Sequence, residues 1–163
     1  MEAIIFLFCL TIHNIEEALW FNDWRIKNMP NKRKTYKKEY FIFSVLGITI
    51  LAYLSVGLFL LFPDIIYLEY IFIGFVCAML INTIMPHLLL TIIYREYCPG
   101  LFTGCCLLAP FNIIILAKTL NKGFSISEVI ISTLIVGVVL LSSIPMFEII
   151  AKKILKKKEK QQL

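Results

Sequence analysis

The sequence predicts an all-α protein, a polytopic membrane bundle of five transmembrane helices with its N-terminus outside and its C-terminus cytoplasmic. Three observations carry that expectation. Of 163 residues, 60% are hydrophobic and the mean hydropathy is +0.85. A soluble domain is about 45–50% apolar, so the bilayer is the better solvent for this chain. Five apolar stretches, approximately 2–24, 41–62, 69–93, 99–118 and 126–150, each supply the roughly 20 residues that cross about 30 Å of hydrocarbon. The charge is also one-sided: of sixteen Lys and Arg, seven fall in 25–38 and six in 152–160.

The first stretch is the least regular. Only 3–12 is uninterrupted, and His13, Asn14, Glu16 and Glu17 follow inside the apolar span. A charged residue at a helix centre costs about 2.5–3.5 kcal/mol on insertion scales, so such groups have partners or a task. At about 100° per residue, Phe6, Cys9, His13, Glu17, Trp20 and Trp24 share one face with Glu16 at its edge. That polar strip is expected to face the bundle. A helix lying flat in the interface would carry Lys and Arg on its polar face, and none occurs before Arg25. Turns join the remaining stretches at Pro63-Asp64 outside, Tyr97-Cys98-Pro99-Gly100 inside and Asn121-Lys122-Gly123 outside. With this alternation the inner segments 25–40, 94–98 and 151–163 hold fourteen of the sixteen basic residues, leaving Lys118 and Lys122 outside. Residues 1–150 are therefore expected to form a single transmembrane helical domain, and 151–163 a basic cytoplasmic tail that prolongs the fifth helix. No internal repeat is found.

Composition also excludes. The two basic clusters flank apolar spans, which makes membrane lipids the expected partners and nucleic acid a poor one. The five cysteines, Cys9, Cys77, Cys98, Cys105 and Cys106, are odd in number and lie in or beside apolar runs, so reduced, membrane-buried thiols are expected rather than a disulfide scaffold. Packing is the expected role of the Cys105-Cys106 pair. Glu2 in place of a basic n-region, with no small-residue cleavage pattern, speaks against a removed signal peptide. The Ile-, Lys- and Phe-rich usage suggests a bacterial source and thus the bacterial plasma membrane.

The chemistry-bearing residues converge by depth. Glu16 and Glu17 lie about eight residues from the inner end of the first helix, and His87 about seven from the inner end of the third. At about 1.5 Å per residue, these groups share a level roughly 10–12 Å below the inner interface. His13 and Glu17 are i, i+4 neighbours, and His13 and Glu16 are i, i+3 neighbours, so either pair can hold one metal ion from a single helical face. His87 would add a ligand from the facing helix. A divalent cation, two carboxylates and two neutral imidazoles sum to zero charge, which suits a low-dielectric site, and mixed N/O donors favour zinc ahead of iron or manganese. No cysteine is expected level with the site.

Pro86 cannot donate to the carbonyl of Asn82, so the third helix is expected to kink and leave that acceptor free beside His87. On a regular helix the five-residue spacing puts the two side chains about 140° apart. Asn82 and Tyr97 are the candidate substrate-binding residues. Pro110 and Pro145 are expected to bend helices four and five, Gly100 and Gly104 to pack helix four closely, and Pro99 to start it. Glu128 and Glu148, near helix ends, are expected at the interfaces.

His13-Asn14-Ile15-Glu16-Glu17, then Asn82 and His87, then Tyr97-Cys98-Pro99-Gly100 resemble, in order, the elements of the membrane family named for its HXXEE motif. The resemblance spans residues 13–100. It implies that these residues form the site, and it brings no assigned activity.

The function expected from these residues is a metal-dependent membrane hydrolase acting on a lipid or other hydrophobic substrate near the cytoplasmic leaflet. His13, His87 and one of Glu16 or Glu17 would be ligands, the other Glu a general base. Two rivals stand beside it. One is a small proton- or cation-coupled transporter, which at five helices would need to form a homo-oligomer. The other is a non-catalytic, immunity-type membrane partner.

Overall fold

The computed structural model describes residues 1–29 and 37–161, with side chains to 155. The middle of the first basic cluster and residues 162 and 163 lie outside the described residues. Among the described residues there is no strand. Five helices are long and apolar enough to cross a membrane: α1 Glu2–Asn28, α2 Lys38–Leu61, α3 Ile66–Tyr94, α4 Leu101–Asn121 and α5 Ile126–Gln161, the last by its portion Ile126–Leu155. The shortest, α4, has 21 residues, which at about 1.5 Å each spans roughly the hydrocarbon thickness.

α5 packs along α3 and α2, while α1 packs against α2 and α4 and closes the bundle over α3. Between them lies a dry core. Phe6 of α1 meets Phe72 and Phe75 of α3 edge-on at 5.8 and 6.0 Å, and Phe59 of α2 stacks on Phe72 at 5.0 Å. Leu10, Val56, Val76 and Leu108 fill the space around these rings. Lipid tails are as apolar as these side chains, so close packing and polar pairing, rather than expulsion of water, hold such helices together. Gly74 and Gly104 show the closeness: a Cβ on Gly104 would lie 2.8 Å from Thr83 Cγ2, and one on Gly74 would lie 2.5 Å from the Ser132 carbonyl oxygen.

Three of the helices are irregular, each at one place. α1 passes through a π-helical turn at Glu17–Phe21, α3 through one at Thr83–Leu88 and α4 through one at Gly104–Leu108. In α3 the cause is local. Met85 is extended (φ −125°, ψ 109°), because the ring of Pro86 crowds the residue before it out of the helical region. In α4 the π-turn immediately precedes Pro110, which has no N–H to offer the turn behind it. The turn in α1 changes the expected face. Phe6, Cys9, His13 and Trp24 are buried, but Trp20 is 56% exposed, because the wider turn shifts the register in the middle of the strip. Glu16, expected at the edge, is buried instead.

Other expectations also shift. Cys105 and Cys106 are exposed on the outside of the bundle rather than packed within it, whereas Cys9, Cys77 and Cys98 are buried. Glu148 is buried. Glu128 accepts from Tyr70 and closes the first turn of α5 through Ser125. α5 remains helical past Pro145 to Gln161, so the tail does prolong the helix.

Candidate metal centre

The site sits where the three π-turns meet. The motif begins on α1, and each of its residues has a different destination. His13 points into the bundle, fully buried. Asn14 donates to Thr49 Oγ1 of α2 at 2.7 Å, which anchors α1 sideways. Ile15 faces outward. Glu16 turns to the start of α4 and Glu17 turns to α3.

Glu17 Oε1 lies 2.7 Å from His87 Nε2 and 3.7 Å from His13 Nε2. His13, Glu17 and His87 each offer one ligand atom, and these atoms lie within 4.8 Å of one another. The two imidazoles stand perpendicular, with ring centroids 5.1 Å apart. Asn82 Nδ2 is 3.4 Å from Nε2 of both histidines. The extended residue at Met85 accounts for this: it cancels the angle that a regular helix would put between Asn82 and His87.

Glu16 does not join this group. One oxygen accepts from the Tyr97 hydroxyl. The other accepts from Thr103 Oγ1 at 2.6 Å and from the Thr103 backbone N–H at 3.2 Å. The Tyr97 oxygen in turn accepts the Phe102 N–H at 3.2 Å. Two orphan N–H groups in the first turn of α4 are thus satisfied from outside the helix. Burial, and then the bond to Glu16, push the Tyr97 phenol up to about 12, so it remains a donor at neutral pH.

The turn between α3 and α4 closes the site from below. Gly100 adopts φ +97°, and a Cβ there would lie 2.7 Å from His87 Nδ1. Only glycine meets both demands. Cys98 Sγ lies 3.8 Å from His87 Nδ1, so a cysteine is level with the site after all. The depth estimate missed it because the turn folds back under α3. Burial, with the Glu17 and Glu16 charges behind it, pushes the Cys98 thiol up to about 12. It faces Nδ1 of His87, the ring nitrogen on the side away from Glu17.

Sequence reasoning also missed Thr103, whose hydroxyl lies 3.1 Å from His13 Nδ1 as well as against Glu16. Its position three residues past the Pro99-Gly100 turn was the available signal, but a threonine in an apolar helix is commonplace. Beside Glu16 an open groove of about 540 Å³ runs along the bundle surface, lined by Ile12, Ile15, Trp20 and Phe102 together with Glu16, Tyr97 and Thr103, and almost all of the surface it presents is apolar.

The family model for proteins of unknown function with the HXXEE motif matches residues 4–115, and the matched stretch contains every residue of this site. The chain belongs to the HXXEE family. A relative, the uncharacterised protein YrkK of Bacillus subtilis (strain 168), is 41% identical over 150 residues, covering 91% of this chain and 94% of its own. No solved structure matches.

Proposed function

We propose that this HXXEE protein is a metal-dependent membrane enzyme, a hydrolase that acts on a lipid or other hydrophobic substrate near the cytoplasmic leaflet of a bacterial plasma membrane. The observation that carries this reading is the convergence of His13, Glu17 and His87, from two helices, with ligand atoms within 4.8 Å. On a tetrahedral ion with bonds of about 2.0–2.2 Å, ligand atoms lie roughly 3.3–3.5 Å apart. The observed 2.7 and 3.7 Å separations bracket that value.

Two imidazoles and one carboxylate form the ligand set of several catalytic zinc sites, and three protein ligands leave a fourth position open. Zinc fits these N and O donors ahead of iron or manganese. The ion would supply Lewis acidity toward a carbonyl or phosphoryl oxygen and activate water. With one carboxylate the site keeps a single positive charge, which an anionic group of the substrate would meet. In this reading Asn82, whose Nδ2 lies 3.4 Å from Nε2 of both histidines, would orient the reacting oxygen.

The groove beside Glu16 supports the substrate class. Its lining is almost wholly apolar and it runs beside Glu16 of the motif, which suits a molecule entering from the bilayer rather than from water.

Elemental analysis of detergent-purified protein tests the reading. Wild type prepared with metal present is expected to hold about one transition-metal ion per chain, and His87→Ala and Glu17→Gln to lose it. Less than about 0.2 mol of metal per mol of wild type sinks it.

A further inference from the structure

We propose that Glu16 and Thr103 form a positioning brace that fixes His13 in the Nδ1–H tautomer, leaving its Nε2 bare toward Glu17 and His87. This deepens the metal-enzyme reading, on which the use of that bare nitrogen rests. The two adjacent glutamates of the motif then have unlike tasks: Glu17 belongs to the ligand set, and Glu16 acts on it through Thr103.

Counting donors leads there. Glu16 receives the Tyr97 hydroxyl on one oxygen and the Thr103 hydroxyl and N–H on the other. Three converging donors are the pattern of a carboxylate, which can only accept. The Tyr97 oxygen already accepts from Phe102, so its proton is committed to Glu16. Thr103 has one hydroxyl proton, and at 2.6 Å it too is committed to Glu16. What Thr103 Oγ1 presents to His13 Nδ1, 3.1 Å away, is a lone pair. The proton on that bond must therefore come from the imidazole. A neutral ring with its proton on Nδ1 has none on Nε2, the nitrogen that faces Glu17 and Asn82. Ligating histidines are characteristically oriented by such a bond from the other ring nitrogen.

Glu16 also satisfies an N–H in the first turn of α4, so a loss of stability on changing it would not distinguish positioning from capping. The tautomer does. The chain has two histidines, so a two-bond 1H–15N correlation spectrum of metal-stripped, [15N]histidine-labelled protein resolves both rings, and His87→Asn assigns them. The expected result is a pure Nδ1–H pattern for His13 in wild type and Thr103→Ser, and an Nε2–H or mixed pattern in Thr103→Val. A wild-type His13 protonated on Nε2, or a Thr103→Val protein that keeps the pure Nδ1–H pattern, overturns the proposal. If Thr103→Val does not fold, the wild-type spectrum still decides.

In the loaded protein, Thr103→Val is expected to weaken zinc binding about 10–100-fold, with Thr103→Ser restoring it. Unchanged zinc affinity in Thr103→Val also counts against the brace. A Thr103-dependent Nδ1–H tautomer in a protein that takes up no metal would sink the metal reading and leave the brace standing.

Discussion

Within five consecutive residues of α1, one side chain faces outward and the other four engage three different neighbouring helices. Residues 13–17 sweep slightly more than one full turn of helix, so a helix with three neighbours can address each of them, and the π-turn begins only at the last of the five, Glu17. The cost of carboxylates in a low-dielectric interior is offset residue by residue: three donors around Glu16, and an imidazole at 2.7 Å from Glu17. Gly100 shows the same economy from the other side of the site, since its lack of a Cβ leaves room for the His87 ring. Gly100→Ala is therefore expected to impose left-handed strain of about 1–2 kcal/mol and to push His87 off Glu17. Thermal unfolding in detergent should show a lowered Tm, and bound metal should fall. A variant with wild-type Tm and metal content would show that the glycine is not needed there.

At the scale of elements, the helices were legible and their irregularities were only half so. Length and hydropathy placed the first four within a few residues of their observed ends and found the start of the fifth, because a bilayer leaves the backbone little choice but a helix. Pro86 announced the break in α3, since a missing N–H and a crowded preceding residue are properties of proline itself. Pro110 marked α4 for an irregularity without giving its form, whereas the π-turn of α1 was not legible, because the cause of a wider turn lies in neighbouring helices as much as in its own residues. For that reason Trp20 was assigned to the buried face, whereas Cys98 was overlooked because the turn folds back under α3 and Thr103 because a threonine in an apolar helix is commonplace. The break in α3 has a testable consequence. Pro86→Ala restores an N–H and lifts the restriction on Met85, so the segment is free to become regular helix and carry His87 away from Asn82. Far-UV circular dichroism should show helix content unchanged or raised, while zinc affinity falls about tenfold or more. Undiminished zinc binding in Pro86→Ala would mean that the break does not position His87.

For the molecule as a whole, the two ends of the bundle differ in charge, and this is an argument about orientation. One end gathers Glu2 with Lys118 and Glu69 with Lys122. The other carries Lys27 paired with Glu96 and Lys38 paired with Asp23, together with Arg25, Arg95, Lys152 and Lys153. Exposed ion pairs of this kind contribute little to stability, typically about 0–1 kcal/mol each, so their value lies in sorting the ends. Excess Lys and Arg stay on the cytoplasmic side during insertion. The end bearing the Tyr97–Gly100 turn is therefore expected inside, with the His/Glu cluster nearer to it than to the outer surface. Fusions test this directly. Alkaline phosphatase joined after Asp64 or Lys122 should be active, and green fluorescent protein at the C-terminus should fluoresce. The reverse pattern would place the cluster under the outer leaflet. A substrate drawn through the groove beside Glu16 would then come from outer-leaflet lipid, and the same ligand geometry would serve a different pool of molecules.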